Sequence, residues 1–260
     1  CNGRLCKYGI PGASASYFNE WKDSVVANKF LNPILDPEND LCKTYKDEKD
    51  GLMHFDVERL PNGNLLEQMK FGIIGLLQPE RVLDILQHFI VFERDNGKII
   101  KKVARYQQLR AANKIVERVT HTDKKQGVIW HTQGSGKSLT MLYTAYKLRK
   151  AEELDDPTIF IVVDRKDLKD QMGDTFLDCV FPNARQVMSV GDLKSIIKDK
   201  PAGVFITTIQ KFNELGRIVD DRGNVIVLID EAHRTEYGDY QMELQAVLPN
   251  AKRFAFTGTP

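Results

Sequence analysis

A chain of 260 residues with 42% hydrophobic and 28% charged side chains has ordinary globular make-up. It is long enough for one large domain, or one with a smaller companion. Its 37 Lys and Arg against 36 Asp and Glu leave a net charge of +1, which excludes a broadly basic nucleic-acid binder; any such contact must come from a local patch.

Residues 1–76 read as an irregular connector, because Gly3, Gly9, Pro11, Gly12, Pro33, Pro37, Gly51, Pro61 and Gly63 punctuate short runs. Residues 77–122 read as a lead-in. Pro79 opens a helix with an apolar stripe at Val82, Leu83, Ile85 and Leu86. Asp95-Asn-Gly97 between Ile90–Phe92 and Ile99–Val103 signals a hairpin. A second helix runs from about Arg105 to Val119. From Gly127 onward strands alternate with helices. Strands are expected at 127–131, 158–163, 203–207, 225–230 and 252–256, with another near 185–189. Helices are expected at about 137–151, 167–178, 191–199, 208–215 and 238–247. This alternation predicts an α/β fold with a mostly parallel sheet and helices on both faces.

Cys1, Cys6, Cys42 and Cys179 form no Cys-x-x-Cys pair and lack a His at zinc-ligand spacing, so they read as free cytoplasmic thiols. No apolar run reaches membrane-spanning length and no secretory signal precedes the first domain, so no membrane partner is expected.

The stretch from Gly127 to Ser138 joins a strand-like run to a helix-like one. Val128, Ile129 and Trp130 favour a strand, and Leu139, Leu142, Tyr143 and Tyr146 follow at helical spacing. Between them stand Thr132, Gln133, Gly134, Ser135, Gly136, Lys137 and Ser138. A phosphate needs this arrangement: Gly-rich backbone N–H groups cradle it, a Lys ammonium reaches its terminal oxygens, and a hydroxyl ligates Mg²⁺. The helix N-terminus behind the loop adds a favourable dipole. His131 occupies the slot where a P-loop ordinarily has its first Gly.

The run Val225–Ile229 is uninterruptedly apolar and ends on Asp230 and Glu231, as a parallel strand buried on both faces would. Ligands of open α/β sheets bind beyond the carboxyl ends of strands, where Lys137 and Ser138 also lie. Asp230 is therefore assigned to hydrated Mg²⁺ and Glu231 to polarising the attacking water.

Asp230-Glu-Ala-His233 resembles the box of superfamily 2 helicases and translocases, and Phe256-Thr257-Gly258-Thr259-Pro260 resembles their third motif. More narrowly, Trp130-His-Thr-Gln-Gly-Ser-Gly-Lys-Ser-Leu-Thr-Met141 resembles the restriction (R, HsdR) subunit of type I restriction-modification enzymes. So do Asp164-Arg165-Lys-Asp-Leu168, Thr207-Thr208-Ile-Gln210-Lys-Phe212 and Asp230 to Gly238. His131 is shared by that family's P-loop.

Ala104 to Ala111 looks like its adenine-recognising glutamine motif, with Gln108 preferred to Gln107 because Ala111 follows at the family's spacing. The resemblance implies a RecA-like core and ATP with Mg²⁺. It also implies coupling roles for His233, Thr257 and Thr259, and contacts to double-stranded DNA through Arg165, Lys166, Thr207 and Thr208. For Arg165 and Lys166 a solvated helix start, and for Thr208 simple helix capping, stay open as alternatives.

The family's nuclease uses an Asp…Glu-x-Lys metal site, of which Glu67-Gln-Met-Lys70 is no convincing copy. The chain thus reads as a connector plus the first motor lobe at 123–260, without the nuclease or the second lobe with its arginine finger, and so poorly active alone. Modification and specificity subunits would be its partners. Another superfamily 2 helicase, or a nucleotide-responsive docking module without turnover, remain the competing readings.

Overall fold

The computed structural model describes residues 7–9, 19–20, 76–95, 97–132, 134–163, 175–176, 179, 184–216, 218–230 and 237–258. The chain divides into two compact units, Cys1–Gln87 and His88–Pro260. In the first, β1 (Lys7–Tyr8) pairs antiparallel with β2 (Asn19–Glu20), and helix α1 (Pro79–His88) closes the unit's sequence. Most of residues 1–76 therefore lies outside the described residues.

The second unit begins with the expected hairpin. Strands β3 (Ile90–Asp95) and β4 (Lys98–Val103) pair antiparallel from Ile90↔Val103 to Asp95↔Lys98, the register that a two-residue turn at positions 96 and 97 dictates. Helix α2 (Tyr106–His121) follows. Its buried residues Leu109, Ala112, Ile115 and Val119 recur at helical spacing and form one stripe.

A six-stranded sheet carries the rest. Its strands are β5 (Gln126–Trp130), β6 (Thr158–Val163), β7 (Ala184–Gln186), β8 (Gly203–Thr208), β9 (Val225–Ile229) and β10 (Lys252–Thr257). All neighbours are parallel, in the order β5-β10-β9-β6-β8-β7. The connections are α3 (Lys137–Arg149), α4 (Val190–Asp199), the single turn α5 (Gln210–Asn213) and α6 (Tyr237–Val247). Parallel strands need such crossovers, and the crossovers bury both faces of the sheet.

Every residue of β6, β8 and β9 is buried, which explains their unbroken apolar runs. On one face Phe160, Val162, Phe205, Val225, Val227 and Ile229 pack with Leu193, Ile196 and Ile197 of α4, Phe212 of α5 and Leu244 of α6. The alternate set, Ile159, Ile161, Ile226 and Leu228, is equally buried, so the opposite face is covered too. Helix α3 buries Met141, Leu142, Tyr143, Ala145 and Leu148 and packs against α2. Lys147 of α3 donates to Asn113 of α2 at 2.6 Å across that contact.

The expected helix at 208–215 is shorter than its pattern. Thr207 and Thr208 stay in β8, and the N–H of Ile209 still bonds Val163 of β6 at 3.0 Å, so sheet pairing outcompetes the first helical turn. The expected helix at 167–178 lies outside the described residues except at 175–176, which are helical. Among the described residues no helix is long and apolar enough to cross a membrane.

Candidate functional site

Because the strands are parallel, all their carboxyl ends emerge on one edge. Strand β5 ends there at Trp130, and the N–H of His131 bonds the carbonyl of Thr257, at the end of β10, at 3.0 Å. The indole N–H of Trp130 donates to the Gly258 carbonyl at 3.3 Å. Two consecutive residues thus tie the start of the P-loop to the end of β10. The loop then turns through Gly134 (φ 77°) and Gly136 (φ 82°), both in the left-handed region that side chains disfavour. Ser135 N–H closes the turn onto Thr132 at 3.1 Å.

Gly136 caps α3, and no side chain caps that helix. The carbonyl of Gly136 accepts from both the N–H and the hydroxyl of Thr140, at 3.0 and 3.1 Å. Lys137 and Ser138 open the helix and are half-buried.

Gln108 is 3% exposed and lies under this loop. Its Oε1 accepts from the Arg105 N–H at 2.8 Å, capping α2. Its Nε2 donates to the carbonyls of Ser135 and Gly136 at 3.3 and 3.2 Å. This tether was not readable from sequence. The cap pairs Arg with Gln, whereas the recognisable capping box begins with Ser or Thr.

Asp230 follows β9, is buried, and is anchored by its N–H to Val162 of β6 at 2.9 Å. Strand β10 lies between β5 and β9, so Asp230 stands two strand spacings, roughly 10 Å, from the P-loop strand. Thr257 is buried at the end of β10. Thr207 and Thr208 are buried at the end of β8, on the same edge, and the Thr207 hydroxyl faces the Thr208 carbonyl at 3.4 Å. Gln133, Arg165, Lys166, Glu231, His233 and Thr259 lie outside the described residues.

Electrostatically, burial, and after it the charge of Lys137, hold the His131 imidazole below its ordinary range. Its Nδ1 and the Ser135 hydroxyl are buried with no hydrogen-bond partner among the described residues.

The donors present fit a phosphate. The first turn of α3 has no side-chain cap, so its N–H groups suit an anion, and Ser135 carries a hydroxyl without a hydrogen-bond partner among the described residues. With Ser138 and Asp230 as oxygen donors, the set also suits a hard divalent cation. A parallel sheet, a P-loop leading into a helix, and an acid one strand beyond the neighbouring strand define a RecA-like P-loop nucleotide-binding lobe.

Comparison with known proteins narrows this class. The sequence profile described as SWI2/SNF2 ATPase matches residues 107–260, and the chain belongs to that family. It is homologous throughout to endonuclease subunits of type I restriction enzymes. The HindI endonuclease subunit of Haemophilus influenzae is 36% identical over 100% of this chain and 24% of its own length. The SsaAORF53P endonuclease subunit of Staphylococcus saprophyticus is 31% identical over 71% of this chain and 20% of its own. The chain thus spans about a quarter or less of these relatives' length. Among solved structures, the UvsW helicase from bacteriophage T4 is 19% identical, covers 70% of this chain and 61% of its own, and has a TM-score of 0.48.

Proposed function

We propose that the chain is the first motor lobe of an ATP-dependent DNA translocase within a type I restriction endonuclease subunit. The observation that carries this reading is the P-loop geometry: an uncapped α3 N-terminus behind two positive-φ glycines, with Lys137 and Ser138 at its start and Asp230 across β10.

In this reading Thr132, Gln133, Gly134, Ser135 and Gly136 wrap the phosphates of ATP with backbone N–H groups, and Lys137 neutralises the terminal ones. Ser138 and Asp230 would hold Mg²⁺, which supplies charge neutralisation at the transferring phosphoryl group. Glu231 orients the attacking water by accepting its proton. His233, Thr257 and Thr259 relay the state of the site to DNA. The bond from His131 to Thr257 supports such a relay, because it makes the P-loop and the end of β10 move together.

Arg165 and Lys166 would meet the phosphate backbone of duplex DNA, since motion along any sequence requires contacts that ignore the bases. The expected contacts from Thr207 and Thr208 are not offered by their buried side chains. Cleavage, and assembly with modification and specificity subunits in the cytoplasm, belong to the whole protein in this reading.

The test is thermal unfolding with Mg-ATP, alongside Lys137→Ala. A ligand that binds only the folded state raises the midpoint. A rise in the wild type that disappears in the variant supports the site; no rise in either removes its basis. For the DNA step, duplex binding whose salt dependence is as steep in Arg165→Ala as in the wild type removes Arg165 from the contact set.

A further inference from the structure

The register between β5 and β10 ends at Trp130 and Thr257. Arg253 N–H bonds the Lys125 carbonyl and His131 N–H bonds the Thr257 carbonyl, so the odd-numbered residues of β10 turn their backbone groups toward β5. By alternation the Gly258 carbonyl would turn the other way, toward the β9 side. The pairing of β9 with β10 has already ended by then, at Ala255 with Ile229. The chain instead bends at Gly258, and the carbonyl accepts from the indole N–H of Trp130 at 3.3 Å. A side chain of β5 thus takes over where the backbone ladder stops, and it fixes the direction in which the chain leaves the sheet.

Trp130 is also the residue on which the phosphate-binding loop begins. His131 follows it directly, and the Ser135 N–H closes the turn onto Thr132 at 3.1 Å, so the path from Trp130 to Gly136 at the head of α3 is short and closed on itself. The two bonds from this corner to the end of β10 differ in kind. His131 to Thr257 joins backbone to backbone at 3.0 Å, within the ordinary N–H···O range. Trp130 to Gly258 hangs on side-chain torsions and lies just past that range, so it has room to tighten or open as the loop shifts. The first bond holds Thr257 in place, and the second can vary.

We propose that Trp130 is a positioning residue of the motor lobe, whose indole N–H carries the state of the phosphate-binding loop to the backbone at the exit from β10. This rests on the reading of that loop as a site for ATP. Occupation of the loop shifts Trp130, the bond to Gly258 tightens, and the chain leaving β10 is held in one direction.

Trp130→Phe keeps an aromatic ring and removes the one donor. Calorimetric titration of this chain with Mg-ATP measures occupation, and hydrogen exchange of the Gly258 amide, read at residue level by mass spectrometry, measures the response. In the wild type, saturating Mg-ATP should slow that exchange about fivefold. In Trp130→Phe the affinity should stay within about twofold of the wild type while the slowing disappears. A general loss of stability would instead speed exchange and weaken binding together. The chain has two tryptophans, Trp21 and Trp130, so Trp21→Phe leaves Trp130 as the only one, and its emission should shift as Mg-ATP saturates. Should Trp130→Phe not fold, that emission decides alone. If the wild type binds Mg-ATP, any of three results overturns the inference and leaves the ATP site standing: no slowing or equal slowing in both proteins, affinity lost in a folded Trp130→Phe, or unchanged Trp130 emission. If the wild type binds no Mg-ATP, the site itself is removed, and the inference with it.

Discussion

Gln108 Nε2 lies 3.2 Å from the Gly136 carbonyl, so the helix preceding the P-loop strand holds the backbone of the P-loop itself. The same Nε2 also donates to the Ser135 carbonyl, and the Oε1 of the amide accepts from the Arg105 N–H. The residue expected from the glutamine motif to read adenine is, in this structure, a strut for the phosphate-binding loop. Gln108→Ala removes three hydrogen bonds at a buried position, a loss of about 1–3 kcal/mol. A strut and a base reader are separable by ligand. Calorimetric titration with inorganic tripolyphosphate should show the variant weakened roughly fivefold or more, as with ATP. Tripolyphosphate affinity equal to wild type would confine Gln108 to the adenine.

Gly136 and Gly134 should differ under the same substitution. Both have positive φ, so alanine strains either backbone by about 1 kcal/mol. At Gly134 a Cβ meets nothing within 4 Å, whereas at Gly136 it meets Gln108 Nε2 at 2.5 Å. Gly136→Ala should therefore destabilise more than Gly134→Ala and weaken nucleotide binding further. A double-mutant cycle by urea unfolding checks the cause. Gly136→Ala should cost less in the Gln108→Ala background than alone, and strict additivity would show that the contact is not what matters.

Legibility followed the range of the interactions. The continuous apolar runs of β6, β8 and β9 and the P-loop between β5 and α3 were readable, because burial on both faces and a phosphate-binding turn impose local patterns. The hairpin at 90–103 was readable from its two-residue turn. The position of β10 between β5 and β9 was not, since strand order depends on pairs more than a hundred residues apart, such as Thr257 with Trp130. For the same reason sequence identified Gln108 without its bond to Gly136, and passed over Arg222 entirely.

Arg222 closes the opposite end of the sheet. Its guanidinium donates to both carboxylate oxygens of Asp220, to the Lys200 carbonyl and to the Thr158 hydroxyl, tying the starts of β6 and β9 to the end of α4. Asp220 is 1% exposed. Burial pushes its carboxyl up, but the hydrogen bonds and charge of Arg222, with Lys200 behind them, outweigh burial and hold it below the usual carboxylate range. A depressed carboxyl contributes stability that is present above its unfolded pKa and is lost as pH falls through the folded one. Arg222→Ala should therefore destabilise by roughly 3 kcal/mol near neutrality, where it strands a buried charge. The difference should shrink as pH falls through and below the ordinary carboxylate range of about 4, where the variant protonates its buried Asp220 first and the wild type last. Urea unfolding of both across that range is the check, and a pH-independent difference would assign Arg222 to its carbonyl and hydroxyl bonds alone.

His131 gives the chain a second pH response, at a different place and pH. Its imidazole is held below its ordinary range by burial first and by Lys137 second, so the folded protein favours the neutral ring. Between the depressed folded pKa and the unfolded value near 6.5, the unfolded chain binds more protons than the folded one. Stability from this residue is thus complete above about pH 6.5 and declines as the solution is acidified below it. His131→Asn keeps a polar atom near the Nδ1 position without titrating, and it leaves the backbone bond to Thr257 intact. The variant should lose the part of the slope of stability against pH that lies below about pH 6.5 and is due to this ring, while the acid response of Asp220 remains. The His131 response begins at about pH 6.5 and the Asp220 response near the ordinary carboxylate range, so chemical unfolding of the wild type and variant at closely spaced pH values compares them. If His131→Asn leaves the upper slope unchanged, another group carries it, and the ring beside Lys137 does not change its protonation on folding.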